Sequence, residues 1–310
     1  MKFNKILLLG YSGNELEEEY WKRIDAICAE RVIVSLDDSS LQENLKGADC
    51  LLVKLGAKVG QNLIEKATDL KYIGMLGTGV GGIDIDYAAS RGIAVCNIAD
   101  YATEGVAEFT FGVILDKLRE LERAKQQARE NNYSESTFTG TEIKGKNFGV
   151  IGLGNIGKRI ARIAEGFGAK VSYWSKNKKQ GFNFQEIDSL LKNSDIITVN
   201  LSLVPETNGF LNEERIKMIK KGALVVNSSP MELIDLDALV ARLGQGDISF
   251  ILDHSDEMTG EQLAKLKPFK NCIIYPPIAY TTNEATELKK GIFVGNLENF
   301  LNNSPSNKVN

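Results

Sequence analysis

The run Gly152-Leu153-Gly154-Asn155-Ile156-Gly157 constrains the fold more than any other stretch of the chain. It follows an apolar strand candidate, Phe148–Gly152. It then opens a segment in which Ile156, Ile160, Ile163 and Phe167 recur at helical spacing, and a second strand candidate, Val171–Trp174, comes next. In that setting each glycine of G-x-G-x-x-G has a physical purpose. Gly152 permits the tight turn, Gly154 lets the backbone approach a pyrophosphate, and Gly157 lets helix and strand pack closely. The pyrophosphate sits on unsatisfied amides at the positive end of the helix. A glycine turn alone binds nothing in particular; the flanking strand and helix point to a Rossmann-type doubly wound parallel sheet.

The same alternation runs through the chain. Lys5–Gly10, Arg31–Leu36, Cys50–Leu55, Leu70–Gly77 and Ile93–Asn97 read as strands, with Asn14–Ala29 and Asp84–Arg91 as helices among them. A long helical pattern runs from about Glu104 to Arg129, with Val106, Phe109, Val113, Ile114, Leu118 and Leu121 on its buried face. Later strands are Asp195–Leu201, Ala223–Ser228, Ile248–Asp253 and Cys272–Tyr275. A last helix covers Glu284–Leu301, and the stretch Asn303–Asn307 reads as frayed. Two α/β units follow, with a boundary near Asn97–Asp100. The 310 residues suit two domains, and 43% hydrophobic content supplies their cores.

Charge and rare residues exclude several functions. A net charge of -4 offers no basic surface for nucleic acid. No apolar run approaches the roughly 18 residues of a membrane span, and Ile6–Leu9 is a strand rather than a signal peptide. Cys28, Cys50, Cys96 and Cys272 form no C-x-x-C pair, so neither a disulfide framework nor a thiolate zinc site is expected. His254 is the single histidine, which leaves no multi-histidine metal site. The expected compartment is the cytoplasm.

Cofactor choice is read at the end of the strand after the glycine turn, where a carboxylate would accept the adenosine ribose. Here Ser175-Lys176-Asn177-Lys178-Lys179 follows Trp174. A carboxylate would repel a 2′-phosphate, whereas a hydroxyl with ammonium groups welcomes one. Ser175 and Lys176 therefore favour NADP over NAD, the alternative being a solvated basic loop.

At this point the chain resembles the D-2-hydroxyacid dehydrogenase family over nearly its whole length. The resemblance rests on Phe138–Lys146 leading into the glycine motif, Leu76–Gly81 with Ile83-Asp84, Arg91–Asn97, Val106–Glu108, Asp195–Thr207, Ala223–Asn227 and Leu233–Asp235. It implies a discontinuous, flavodoxin-like substrate domain (residues 1–98 and 283–310) around a dinucleotide-binding domain (99–282). A cleft between them and a homodimer through the dinucleotide-binding domain are also implied. Gly152, Gly154, Asn155, Ile156, Gly157, Ser175, Lys176, Asn200, Ser228 and Asp253 are the expected cofactor-binding residues, Asp253 near the nicotinamide carboxamide. Lys54, Leu55, Gly56, Gly77, Gly79 and Val80 are expected to line the substrate cleft, where backbone amides hold a carboxylate.

The family's reaction uses an Arg to hold the 2-oxo acid, a His to donate a proton, and a Glu to orient that His. The three positions carry Pro230, Pro277 and Met258, with Glu257 one residue short of the third. Proline has neither a titratable group nor an N–H. Proton donation alone is worth about 10²–10⁴ in rate, so ordinary 2-hydroxyacid turnover is not expected. Substitutes are Lys54 for part of the Arg charge, and Tyr101, Tyr280 or His254 as proton donors. Strand alternation turns His254 away from Asp253. Each also has a plain reading, as a solvated lysine or a packed ring. Two functions remain open. One is an NAD(P)-dependent oxidoreductase acting on a small carbonyl or hydroxyl compound with altered catalytic residues. The other is a dinucleotide-binding non-enzyme, a redox sensor or structural subunit.

Overall fold

The computed structural model describes residues 1–54 and 56–310, which divide into two compact units, Met1–Tyr101 with Asn283–Asn310 and Ala102–Thr282. The first unit opens with β1 (Phe3–Leu9), α1 (Glu18–Ala26), β2 (Cys28–Val34), α2 (Leu41–Asn44) and β3 (Cys50–Val53). α3 (Gln61–Lys66), β4 (Tyr72–Met75), α4 (Ile85–Ser90) and β5 (Ala94–Cys96) follow. The five strands are all parallel in the order β2-β1-β3-β4-β5. Ile6–Leu9, Cys50–Val53 and Tyr72–Met75 are buried throughout, because helices cover both faces of such a sheet.

The second unit comprises α5 (Thr103–Arg119), α6 (Leu121–Arg129), β6 (Asn147–Ile151), α7 (Asn155–Gly166), β7 (Lys170–Trp174) and α8 (Ile187–Asn193). It continues through β8 (Ile196–Val199), α9 (Glu213–Met218), β9 (Leu224–Asn227), α10 (Leu236–Gly244), β10 (Ser249–Leu252), α11 (Gly260–Leu266) and β11 (Cys272–Ile274). Its six parallel strands run β11-β10-β9-β8-β6-β7, so the order reverses between β6 and β8. In open α/β sheets that reversal, at the carboxyl ends of the strands, is where ligands bind. One apolar layer gathers Leu190, Ile197, Phe250 and Leu252; the other gathers Phe111, Phe148, Ile160 and Tyr173. The α/β class with two parallel sheets is thus as the sequence indicates.

The single helix expected over residues 104–129 is two. Glu120 takes the left-handed conformation (φ 52°) and ends α5, and the amide of Glu122 restarts the chain by donating to Asp116 Oδ1 (3.0 Å). The break falls where the apolar pattern runs out. α6 buries no side chain, and Leu121, expected inside, is 46% exposed. Thr141 N donates to Leu118 O (2.8 Å), so the returning chain takes a carbonyl that a continuous helix would have used.

A final helix, α12 (Asn283–Leu301), belongs to the first unit. Its Phe293, Val294, Leu297 and Leu301 enter the core built by Phe3, Ile6, Leu8 and Tyr72, and Arg23 grips Glu298 through two hydrogen bonds (3.0 and 2.8 Å). The tail that follows is not frayed. Asn97 N donates to Asn307 O (3.1 Å), Val309 N to Val95 O (2.9 Å), and Val95 N to Asn310 Oδ1 (3.0 Å). Serine, proline and asparagine favour loops, so the pairing carries no signal in the sequence. The attraction is the unpaired edge of β5, whose backbone groups need partners. Among the described residues no helix is long and apolar enough to cross a membrane.

Removing residues 306–310 should uncover that edge. The expected result is a melting temperature lower by about 4–8 °C, for a loss of roughly 1–2 kcal/mol, with concentration-dependent association in light scattering.

Candidate functional site

In the second unit the glycine turn is built by close approach. Gly152 has φ +90°, and a Cβ there would lie 2.5 Å from the Asn200 carbonyl oxygen. A Cβ on Gly157 would stand 2.0 Å from the Gly152 oxygen, so only glycine lets α7 pack against this turn. Gly154 is different: nothing lies within 4 Å of a Cβ built there, and α7 has no side-chain cap. The first amides of a 12-residue helix are therefore presented beside open space. At the end of β8 the Asn200 side chain donates to Thr198 Oγ1 (3.1 Å), while its Oδ1 is enclosed and has no hydrogen-bond partner among the described residues. A buried carbonyl oxygen without a donor costs about 1–3 kcal/mol, which a ligand hydroxyl or amide would relieve. These residues fit a dinucleotide. Asn155 and Ile156 form the first turn of α7.

Beyond β7, the Ser175 hydroxyl donates to the Asn177 carbonyl (2.6 Å) and keeps its lone pairs as acceptors. Lys176 is exposed, and the Lys178 ammonium lies 4.5 Å from the centre of the Phe184 ring. Ser228 ends β9. Just before it Asn227, fully buried, donates to Ser229 O (2.8 Å) and accepts from Ser229 N (3.2 Å), closing the turn that leads into Pro230. Pro230 then starts a 3₁₀ turn over Met231–Leu233.

Asp253 is 2% exposed, and its carboxylate accepts the amides of Ile278 (3.0 Å) and Ala279 (3.2 and 3.3 Å). It pins the Pro276–Tyr280 turn that carries Pro277. Burial raises its pKa against the lowering effect of those two amides. Tyr280 is partly exposed on this turn. Burial first, then Asp256, Asp253 and Glu257, push its phenol up, which makes it a weaker proton donor than an ordinary tyrosine. Met258 is 9% exposed within the apolar core, a place where a carboxylate would be stranded.

Strand alternation does not set the direction of His254, contrary to expectation. β10 ends at Leu252, and His254 (φ -89°, ψ 49°) already caps the 3₁₀ turn Ser255–Glu257. Its Nδ1 is enclosed and lies 3.5 Å from Glu257 Oε2, close enough for ionic contact but not aligned as a hydrogen bond.

The first unit carries its own loop at the carboxyl ends of β3 and β4. Thr78 donates to Ile98 O (2.9 Å), Asn97 to Thr78 O (2.7 Å), and Ile98 N to Gly77 O (2.9 Å), which fix the loop from one side. The amides of Gly79, Val80 and Gly81 donate to no acceptor among the described residues, and Gly79 and Gly81 border open space. Successive free amides of this kind make an anion cradle. Gly56 has φ +92° and Leu55 lies outside the described residues. Lys54, at the end of β3, ion-pairs with Glu15 (3.0 Å). Burial alone would raise the Glu15 pKa. Hydrogen bonds from the Ser12 amide, Lys54 and the Ser12 hydroxyl outweigh it and hold the group at about 2. Tyr101 is half-buried, with the Lys289 ammonium 5.6 Å from its ring centre. Neither Glu15 nor Lys289 is marked out by the sequence. Lone charged residues in amphipathic stretches carry no motif.

Residues 111–279 match the family model described as the NAD binding domain of D-isomer specific 2-hydroxyacid dehydrogenase. A hydroxypyruvate reductase of Blautia hydrogenotrophica is 30% identical, the alignment covering 98% of this chain and 99% of that one. The D-3-phosphoglycerate dehydrogenase of Methanocaldococcus jannaschii is 35% identical over 240 residues, which are 75% of this chain but 46% of the relative; the chain thus spans about half the length of that enzyme. Among solved structures, an acyclic imino acid reductase in complex with NADPH and D-Arg superposes with a TM-score of 0.86, at 25% identity, over 99% of this chain and 100% of the other.

Two substitutions check the placement of these side chains. Met258→Glu should lower the melting temperature of the second unit sharply, by several kcal/mol in stability, because the carboxylate would be buried without a partner. Glu15 is charged in the folded state below its ordinary pKa, so its contribution is complete above about pH 4.5 and is lost as pH falls toward 2. Glu15→Gln should flatten the acid limb of a pH-melting profile across that window.

Proposed function

Because the chain belongs to the D-isomer specific 2-hydroxyacid dehydrogenase family, we propose that it transfers hydride between a nicotinamide dinucleotide and a small carbonyl or hydroxyl compound, with catalytic residues other than the family's Arg, Glu and His. The observation that carries the reading is the uncapped start of α7 beside Gly154, together with the unpartnered Asn200 Oδ1. The α7 amides hold the pyrophosphate and Asn200 accepts a hydroxyl or amide proton of the cofactor. Asp253 keeps the Pro276–Tyr280 turn in place. When bound, the nicotinamide supplies or receives the hydride. The amides of Gly79, Val80 and Gly81 take a substrate oxygen or carboxylate. Of the titratable side chains beyond β10 and β11, His254 and Tyr280 are the proposed proton-exchanging groups.

Ser175 with Lys176 supports NADPH over NADH, since no carboxylate stands there to repel a 2′-phosphate. The chain acts as a homodimer through its second unit, as the family resemblance implies. A second reading is favoured by the imino acid reductase likeness. A protonated imine accepts hydride without further proton donation, so proline in place of the donor His is no handicap for such a substrate.

Fluorescence titration with NADPH and NADH tests the cofactor. NADPH should bind about tenfold tighter, and Lys176→Glu should erase the difference. Turnover is then followed with aldehydes, ketones, 2-oxo acids, and 2-oxo acids with ammonia. Oxidation of NADPH by one of these classes is the expected result. Tight cofactor binding with no turnover by any of them would make the protein a dinucleotide-binding non-enzyme, and binding of neither cofactor would remove both readings.

A further inference from the structure

The amino ends of the second unit's strands enclose a hollow that plays no part in the site above. β6 begins at Asn147, β7 at Lys170, and Ser194 lies just before β8. Together with Ser172, Gln185 and Asn193, these residues line a cavity of about 380 Å³. That volume is within the range of small-molecule sites. The glycine turn follows the opposite end of β6, five residues on, or about 16 Å at the rise of an extended strand.

Its walls are fixed by backbone pairing. Tyr173 N donates to Asn183 O (2.9 Å) and Gln185 N to Tyr173 O (2.8 Å), so the returning chain runs along the outer edge of β7. Its polar groups are left unspent. Ser172 is 6% exposed, yet its hydroxyl has no hydrogen-bond partner among the described residues. The Gln185 side-chain amide has none among them either, and its Oε1 is enclosed. Asn147 Nδ2 donates to Asn193 O (3.0 Å), and Asn193 Nδ2 donates to Ser189 O (2.8 Å), which ties both side chains by their nitrogens. Their Oδ1 atoms accept nothing among the described residues. Ser194 Oγ donates to Leu190 O (2.7 Å) and keeps its lone pairs. Folded proteins pair their buried polar groups, so a cluster of exceptions at one hollow calls for a ligand or water to complete it. The surplus here is of acceptors, which a ligand rich in hydroxyl donors matches. Lys170 is exposed at the rim and has no ion pair among the described residues. Asp195, whose Oδ2 accepts Asn147 N (2.9 Å), is neutralised by Lys220 (2.7 Å). The rim therefore offers a positive charge to an anionic group, and no carboxylate lines the cavity to oppose it.

We propose that this cavity binds a small phosphorylated polyhydroxy compound, a sugar phosphate, with Ser172, Gln185, Asn147 and Asn193 on its hydroxyls and Lys170 on its phosphate. A bare phosphate would leave the acceptors unfilled, and a cationic ligand would meet Lys170. The ammonium contributes charge without a fixed geometry, so the amides and hydroxyls select the ligand. The ligand sits at the amino ends of the strands, and a dinucleotide sits at the carboxyl ends, so both are held at once. The inference is independent of hydride transfer.

Calorimetric titration of the full chain with ribose 5-phosphate, glucose 6-phosphate, the two unphosphorylated sugars and inorganic phosphate tests this without turnover. At least one sugar phosphate should bind, about tenfold or more tighter than its parent sugar or phosphate alone, and equally well with NADPH present. Gln185→Leu, which keeps the size of the side chain and removes its amide, should weaken that binding about tenfold. Lys170→Glu should reduce the affinity for the sugar phosphate to that for the parent sugar. Melting curves confirm that each variant is folded. Binding of neither sugar phosphate, displacement of the bound one by NADPH, equal affinity for inorganic phosphate, or wild-type affinity in either variant would each overturn the proposal.

Discussion

Everything at the dinucleotide end of the second unit depends on how near two stretches of backbone come at the glycine turn. With the Gly152 carbonyl 2.0 Å from where a Cβ of residue 157 would be, any side chain there would push α7 off β6. The helix would then no longer aim its first amides past Gly154, and the turn would lose contact with the end of β8. The cradle is thus made of absences of side chain, held by packing of Ile160, Ala161 and Ala164 behind it. That packing is dense enough that the backbone cannot retreat to accommodate a methyl group.

The opposite half of the same sheet is organised around a carboxylate. Asp253 spends its two oxygens on the amides of Ile278 and Ala279, which fixes the turn after β11 whatever residue occupies position 277. Proline suits that place conformationally, since Pro277 offers no N–H that would need an acceptor. Pro230 likewise enters a 3₁₀ turn with φ -51°, close to the value its ring imposes. Pro230 therefore sits without strain, and Met258 is a core residue. The scaffold around these three positions is self-consistent without guanidinium, imidazole or carboxylate.

Much of this was legible in the amino-acid order. Parallel strands buried on both faces read as apolar runs, and G-x-G-x-x-G between strand and helix announces its own geometry. What stayed hidden depended on tertiary partners. Glu120 has no breaker signature, and the break there follows from where the polar stretch Glu122–Arg129 begins and where Thr141 returns. The tail residues Asn307–Asn310 look like loop until the bare edge of β5 is known. His254 lies two residues beyond its strand, where alternation no longer sets the direction of a side chain. Lys289 and Lys290 are indistinguishable on paper; the placement of Glu17 and Glu287, both against Lys290, separates them.

α12 has a consequence for how the chain acquires its structure. Phe300 stacks on Phe3 at 5.8 Å, and Phe293, Val294 and Leu297 complete the apolar layer begun by β1. Almost the whole polypeptide intervenes, so the first unit has a very high contact order while the second is contiguous. Loop closure over such a span is slow unless the intervening residues condense first. The second unit can collapse alone and, once compact, shortens the distance its neighbour's two halves must search. Until α12 arrives, Phe3, Ile6 and Leu8 face water, making the half-built sheet the stage of biogenesis that most needs protection from aggregation.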